Sequence, residues 1–307
     1  MNTELNRAGA QVDAQAIAPA ATPAMQPFLW SVRREIWETR SIYIVPLVTA
    51  MVVLGGHLVQ TMILRLRMHG AWPSDPARLH NLLGVHYEVA AALITASAFL
   101  VGIFYSLDTL YGERRDRSIL FWKSMPVSDL TTVLAKVTIP LAVLPLLSFA
   151  ITVATQALML LLSSLILLGS GVSMTTLWTY SSLLHFPAML LYHVVTVHGL
   201  WYAPIYAWLL FISAWAPRAP FLWAFLPPFL IGGVEKLAFN TTYFFDLLLR
   251  RLAGPEAPAA PGASVMDIMA SIGPLRFLSE PGLWIGLAIA AAFLAGAVWL
   301  RRSRGPA

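Results

Sequence analysis

The sequence predicts an all-α polytopic membrane protein, and three observations carry that prediction. Hydrophobic residues make up 58 % of the 307 positions and Asp, Glu, Lys and Arg only 11 %, against about 25 % charged in soluble globular proteins. The charge is gathered in blocks: 19 uncharged residues separate Glu88 from Asp108, and 81 separate Lys136 from Arg218. Those runs are long enough to cross a bilayer as helices, which takes roughly 20 apolar residues at about 1.5 Å each. A chain so poor in charge cannot cover a water-facing surface, so its solvent is lipid.

The elements follow in order. Residues 1–26 lack the basic and apolar regions of a signal peptide and read as a disordered cytoplasmic tail. PFLWSVRREIWETR, residues 27–40, has Phe28, Leu29, Val32 and Ile36 at helical spacing, with Pro27 in the first turn. It reads as an amphipathic interfacial helix with Trp30 and Trp37 at headgroup depth; an ordinary cytoplasmic extension of the first span is the other reading. A single transmembrane domain, 41–300, then holds about six spans, near 42–61, 88–107, 137–163, 187–214, 219–240 and 281–300. Pro140, Pro145 and Pro204 are expected to kink or interrupt their helices. FLWAFLPPFLIGGV is short and broken by Pro227-Pro228 and Gly232-Gly233, so a re-entrant segment and five crossings is the alternative.

With six spans, placing both termini in the cytoplasm puts 13 of the 20 Lys and Arg residues inside and 7 outside, which sets the orientation. Residues 301–307 are then a short cytoplasmic tail. The net charge of +5 and pI near 9.7 fit anionic headgroups, because much of the basic charge sits beside apolar runs. No aromatic-and-basic groove points to nucleic acid.

Between the second and third spans lies SLDTLYGERRDRSILFWKSMPVSDLTTVLAK, residues 106–136. The stretch 108–136 is longer than neighbouring helices need, since such connections are commonly about 2–8 residues. ILFWKSMPV is apolar yet too short to span, and Ser128 before DLTTVLAK predicts a serine-capped helix with an acidic first turn. An apolar centre with a rim of both charge signs suits a docking surface. A solvated loop anchored by Phe121 and Trp122 fits the composition equally well.

Several chemistries are excluded. There is no cysteine for disulfides or thiolate ligation. No G-x-x-x-x-G-K-[ST] occurs, since GSGVSMTT at 169–176 lacks the lysine, and H-E-x-x-H is absent too. Hence no catalytic residue, resident cofactor or metal site is expected in this chain. His185, His193 and His198 cluster in the fourth span without a nearby acid. Five residues apart, His193 and His198 do not share a face of an α-helix, so they read as packed or pore-lining groups. With Glu235, beside the Gly-Gly break, they are the candidates for a gate or substrate path.

The 106–136 stretch resembles the permease, or membrane subunit, of bacterial ABC-2 type ABC transporters. Glu113, Arg114, Ser124, Pro126, Val127, Ser128 and Lys136 match that family's pattern by position. YAWLLFISAWAPRAPFLWAFLPPF, 206–229, is similar to its span-four exit and span-five entry. One departure is the long Pro- and Ala-rich excursion in 237–280. The resemblance implies an ATP-driven exporter of the bacterial inner membrane: two permeases, as a homodimer, over two ATPase subunits that hold the ATP and Mg. It makes 108–136 the coupling segment, with Phe121, Trp122 and Met125 as apolar centre and Glu113, Arg114, Arg117 and Asp129 at the rim. An ion-driven secondary carrier is the alternative, but the 81-residue run holds no coupling carboxylate. A non-transport membrane assembly protein is the other alternative.

Overall fold

The computed structural model of the chain describes residues 25–68, 76–125, 127–168, 190–254 and 274–303. Among the described residues all regular structure is helical. Helix α1 (Met25–Glu38) is followed by α2 (Ser41–Met68), α3 (Pro76–Arg115), the short α4 (Ile119–Ser124) and α5 (Asp129–Thr138). A π-helical turn, Ile139–Val143, joins α5 to α6 (Leu144–Leu167). A second π segment, Val194–Trp201, precedes α7 (Ala203–Trp215); α8 (Pro220–Phe239), α9 (Tyr243–Ala253), α10 (Pro274–Ser279) and α11 (Pro281–Ser303) complete the chain.

Five helical stretches are long and apolar enough to cross a membrane, and a sixth forms if Leu190–Trp201 and Ala203–Trp215, bent by 44°, count as one. The chain is a polytopic helical membrane protein. The tail 1–24, His185, GSGVSMTT and residues 255–273 lie outside the described residues.

Prolines explain the irregular helices. Pro140 has no N–H to give the carbonyl one α-turn back, and the backbone widens into a π turn around it. Pro204 stands at the start of α7, just after the second π segment, where the fourth span bends. The two π segments touch, and the Leu141 carbonyl lies 3.2 Å from where a Gly199 Cβ would be. By contrast, Pro227 and Pro228 do not interrupt α8, which runs through both and ends at Asn240 in the left-handed conformation (φ 53°). The expected break there is corrected: membrane helices tolerate proline where neighbours satisfy the freed groups.

The broadest packing is α7 on α11, followed by α2 on α6 and by α3 against α7, α6 and α2. Leu110, Val133, Val137, Leu210 and Ala297 knit α3, α5, α7 and α11 into one cluster. Three ends gather beside it: α1, α4 and the C-terminus of α11. This is the charged end. Helix α1 packs Val32 and Ile36 inward beside Ile42, Tyr105 and Ile139. Trp30 and Trp37, 64 % and 67 % exposed, flank Arg33 on its outer face.

At the far end Arg251 of α9 reaches across the bundle. Its guanidinium lies 4.2 Å from the Trp201 ring and donates to the Gly282 carbonyl at 2.9 Å. A Cβ on Gly286 would overlap that guanidinium, so the end of the arginine side chain would have to leave its seat. Gly286→Ala should therefore cost about 1–3 kcal/mol through overpacking. Adding Arg251→Ala should recover part of it, as read by thermal unfolding of both proteins in detergent.

Candidate functional site

The charged end holds a buried ion cluster built from four helices. On α3, Tyr105, Thr109 and Glu113 recur at intervals of four and share one face. On α1, Glu35 lies between Val32 and Ile36, on the side that packs inward. Lys136 of α5 reaches all of these: its Nζ donates to Glu35 Oε1 at 2.9 Å and Thr109 Oγ1 at 2.7 Å, and lies 3.0 Å from Glu113 Oε1. Arg301, in the last turn of α11, pairs through Nη1 with Glu113 Oε2 and through Nε with Asp129 Oδ1 at 3.0 Å. Tyr105 Oη donates to Glu35 Oε2 at 2.8 Å, and Arg34 Nη2 to Glu35 Oε1 at 2.6 Å.

Charge in the cluster balances: Arg34, Lys136 and Arg301 face Glu35, Glu113 and Asp129. Lys136 is 2 % exposed and Glu35 4 %, so the pairs are little screened by water. Breaking one side of such a pair typically costs about 3–5 kcal/mol, because the other charge is left buried. Burial pushes the Glu35 carboxyl up. The Lys136 charge and hydrogen bond, then Arg34 and Tyr105, outweigh it and hold the group at about 2 instead of 4.5.

A depressed carboxylate contributes fully above its unfolded value and loses that contribution as pH falls toward its folded value. Between pH 4.5 and 2 the Glu35 contribution, on the order of 3 kcal/mol, should vanish. Thermal unfolding of wild type and Glu35→Gln across that range checks it. The variant should be less stable at neutral pH, and the two curves should converge in acid.

The segment linking α3 to α5 differs from its sequence prediction in length and in the placement of its charges. Helix α3 continues to Arg115, so only residues 116–128 lie between it and α5. Glu113 and Arg114, expected at an exposed rim, are 8 % and 6 % exposed, which corrects that placement. Glu113 belongs to the ion cluster. Arg114 Nη2 donates to the Ser213 and Ala216 carbonyls at 3.0 and 2.6 Å, closing the C-terminal end of α7. Asp129 is half-buried on Arg301. Arg117 is exposed, with a left-handed backbone (φ 58°).

Ser128 caps α5 as the sequence predicts, its Oγ accepting from the Thr131 N–H at 3.0 Å. Leu120, Phe121 and Met125 are exposed at 58, 59 and 42 %. Trp122 is half-buried, 3.7 Å under the Arg34 guanidinium. The apolar centre read from sequence is therefore divided: Phe121 and Met125 face out and Trp122 faces α1.

His193 and His198 meet, although α-helical spacing keeps them apart. A π-helix bonds residue i to i+5, which brings groups five apart onto one face. The rings lie 5.8 Å apart edge to face, with His198 also 5.1 Å from Tyr202. Each Nδ1 is buried without a hydrogen-bond partner.

Glu235 is committed locally. Its carboxylate accepts from Thr241 Oγ1 at 2.7 Å and from the N–H groups of Tyr243 and Phe244 at 2.8 and 2.9 Å. It caps α9, whose other end is closed by Trp201 Nε1 and Tyr202 Oη donating to the Arg251 and Leu252 carbonyls at 3.0 and 2.8 Å. Three donors occupy the carboxylate, which acts as the N-terminal cap of α9.

Among the described residues no group of three or more His, Asp or Glu side chains is arranged to hold a metal ion. The sequence did not single out Glu35, Arg34 and Arg301 as members of one cluster. The available signals were an acid on the apolar face of α1 and the Tyr105–Thr109–Glu113 stripe. No protein-family model, curated protein or solved structure matches the chain.

Proposed function

We propose that the chain is the membrane subunit of an ATP-driven exporter of the ABC-2 permease type. In this reading it crosses the bacterial inner membrane six times with both termini in the cytoplasm. Two copies form the path, and two separate ATPase subunits beneath them bind ATP and Mg. The observation that carries the reading is the short segment 116–128. It presents Leu120, Phe121 and Met125 to the surroundings at the charged end while its neighbours are tied into the bundle. Apolar groups exposed outside the spans suit a partner surface, and the resemblance carried by 106–136 supports an ATPase as that partner.

The docking surface is then Leu120, Phe121 and Met125, with Arg117 at its edge. Anchors in a desolvated interface centre commonly cost about 2 kcal/mol or more on truncation. Leu120→Ala with Phe121→Ala should weaken ATPase retention about tenfold or more and leave the permease monodisperse. The measurement is the amount of ATPase recovered with tagged chain from native membranes. A wild-type chain that recovers no Walker-motif ATPase would remove the reading.

The second copy has a candidate face. Helix α8 is the least covered span, with 11 % of its apolar window buried, and exposes Leu226, Phe229, Leu230 and Val234. Because the chain has no cysteine, Leu226→Cys or Leu230→Cys introduces a single thiol. Oxidative cross-linking in native membranes should give a species of twice the chain mass. Capture of a different permease alone would replace the homodimer with a hetero-pair.

A further inference from the structure

Trp122 is held differently from its neighbours on α4. Leu120 and Phe121 are exposed, whereas the Trp122 ring lies against the flat face of the Arg34 guanidinium, 3.7 Å from its Cζ. The edge of the same guanidinium is in the ion cluster, 2.6 Å from Glu35 Oε1 and 3.6 Å from Glu113 Oε1. One planar cation thus touches the docking segment on one side and two buried carboxylates on the other.

Ile119 is the one buried residue of α4, and Ser118 Oγ reaches the Glu113 carbonyl at 3.4 Å. Beside the Trp122 ring a cavity of ≈ 220 Å³ opens between α1 and the start of α5, walled in part by Trp30, Met125 and Val127. The ring has room to shift. Any shift changes its overlap with Arg34, which also pairs with Glu38 at 3.4 Å and is bonded to Glu35 and near Glu113, the two carboxylates that hold Lys136 of α5 and Arg301 of α11.

We propose that Arg34 and Trp122 are a positioning pair that transmits displacement of the 119–125 segment into α5 and α11. The proposal rests on the permease reading above and assigns Trp122 to transmission, leaving docking to Leu120, Phe121 and Met125. The pair suits the task because a guanidinium can stack on an indole and keep its in-plane hydrogen bonds to carboxylates. An ammonium cannot do both. Shared carboxylates make the response collective, since neighbours in a low-dielectric network polarise and constrain one another.

The test uses the full chain in complex with its ATPase in lipid nanodiscs. The absence of cysteine lets nitroxides be placed at Val59→Cys on α2 and Ile285→Cys on α11, both exposed. MgATP with vanadate should shift the distance between the labels in the otherwise wild-type complex. Arg34→Lys keeps the charge and Trp122→Leu keeps an apolar side chain. Both should retain ATPase at unchanged stoichiometry but lose the shift, and Trp122→Phe should restore it. The double variant should be no worse than either single one, because the two residues act as a unit.

A second measurement needs no ATPase. A nitroxide at Ser124→Cys in the chain alone should become more mobile in Arg34→Lys and in Trp122→Leu. Loss of ATPase from either variant would make Trp122 a docking residue and overturn the proposal. So would a retained shift, additive effects in the double variant, or unchanged mobility at position 124. A wild-type complex that binds ATPase but shows no ATP-dependent shift overturns it too. Failure of the wild-type chain to bind ATPase at all defeats the permease reading itself, and the proposal with it.

Discussion

The pairing of Glu35 and Glu113 with Lys136 and Arg301 is the constraint around which the charged end is arranged. Four helices each bring a charge that cannot be left alone in a dry interior, so none can rotate or slide independently. A one-residue slip in α5 would turn Lys136 by about 100° around its helix and strand it among Leu and Val side chains. The apolar contacts between α3, α5, α7 and α11 tolerate many small adjustments. The ion cluster tolerates few, and so it fixes the register in which those contacts form. Arg114, tied to the end of α7 instead, brings the fifth helix to the same level.

The spans were legible in the sequence because lipid imposes a simple rule: long apolar runs become helices. Boundaries were less so. Helix α3 carries its last two turns, Asp108–Arg115, past the predicted span end, since helix propensity and the basic residues at its C-terminus favour continuation. The Pro227-Pro228 pair looked like a break and is not one. Local backbone rules treat each proline as a lost hydrogen bond, and nothing in the sequence says which carbonyls will find another partner. The serine cap of α5 depends on four consecutive residues and could be read directly.

The site was harder because its geometry is non-local. Glu113 and Arg114 are adjacent charges in a charged segment, and composition alone places both in solvent. Their partners, Lys136, Arg301 and the end of α7, come from 23 to 188 residues away in sequence. The meeting of His193 and His198 depends on a π segment, and π turns have no reliable sequence signature beyond a nearby proline. Glu35 carried the clearest missed signal, an acid on the apolar face of an amphipathic helix.

The double capping of α9 bears on how the protein is made. Eleven residues are too few for a helix to persist alone, so α9 gains its structure from the spans around it. Its C-terminal carbonyls are met by Trp201 and Tyr202, synthesised earlier, and its N-terminal amides by Glu235 near the end of α8. Its arginine, however, waits for Gly282 and Gly286 on α11, which is synthesised after it. Until that helix is inserted, a cation is held at the membrane without its seat. Insertion of α11 and closure of the far end are thus one event, and a chain halted before α11 would leave Arg251 without its Gly282 acceptor.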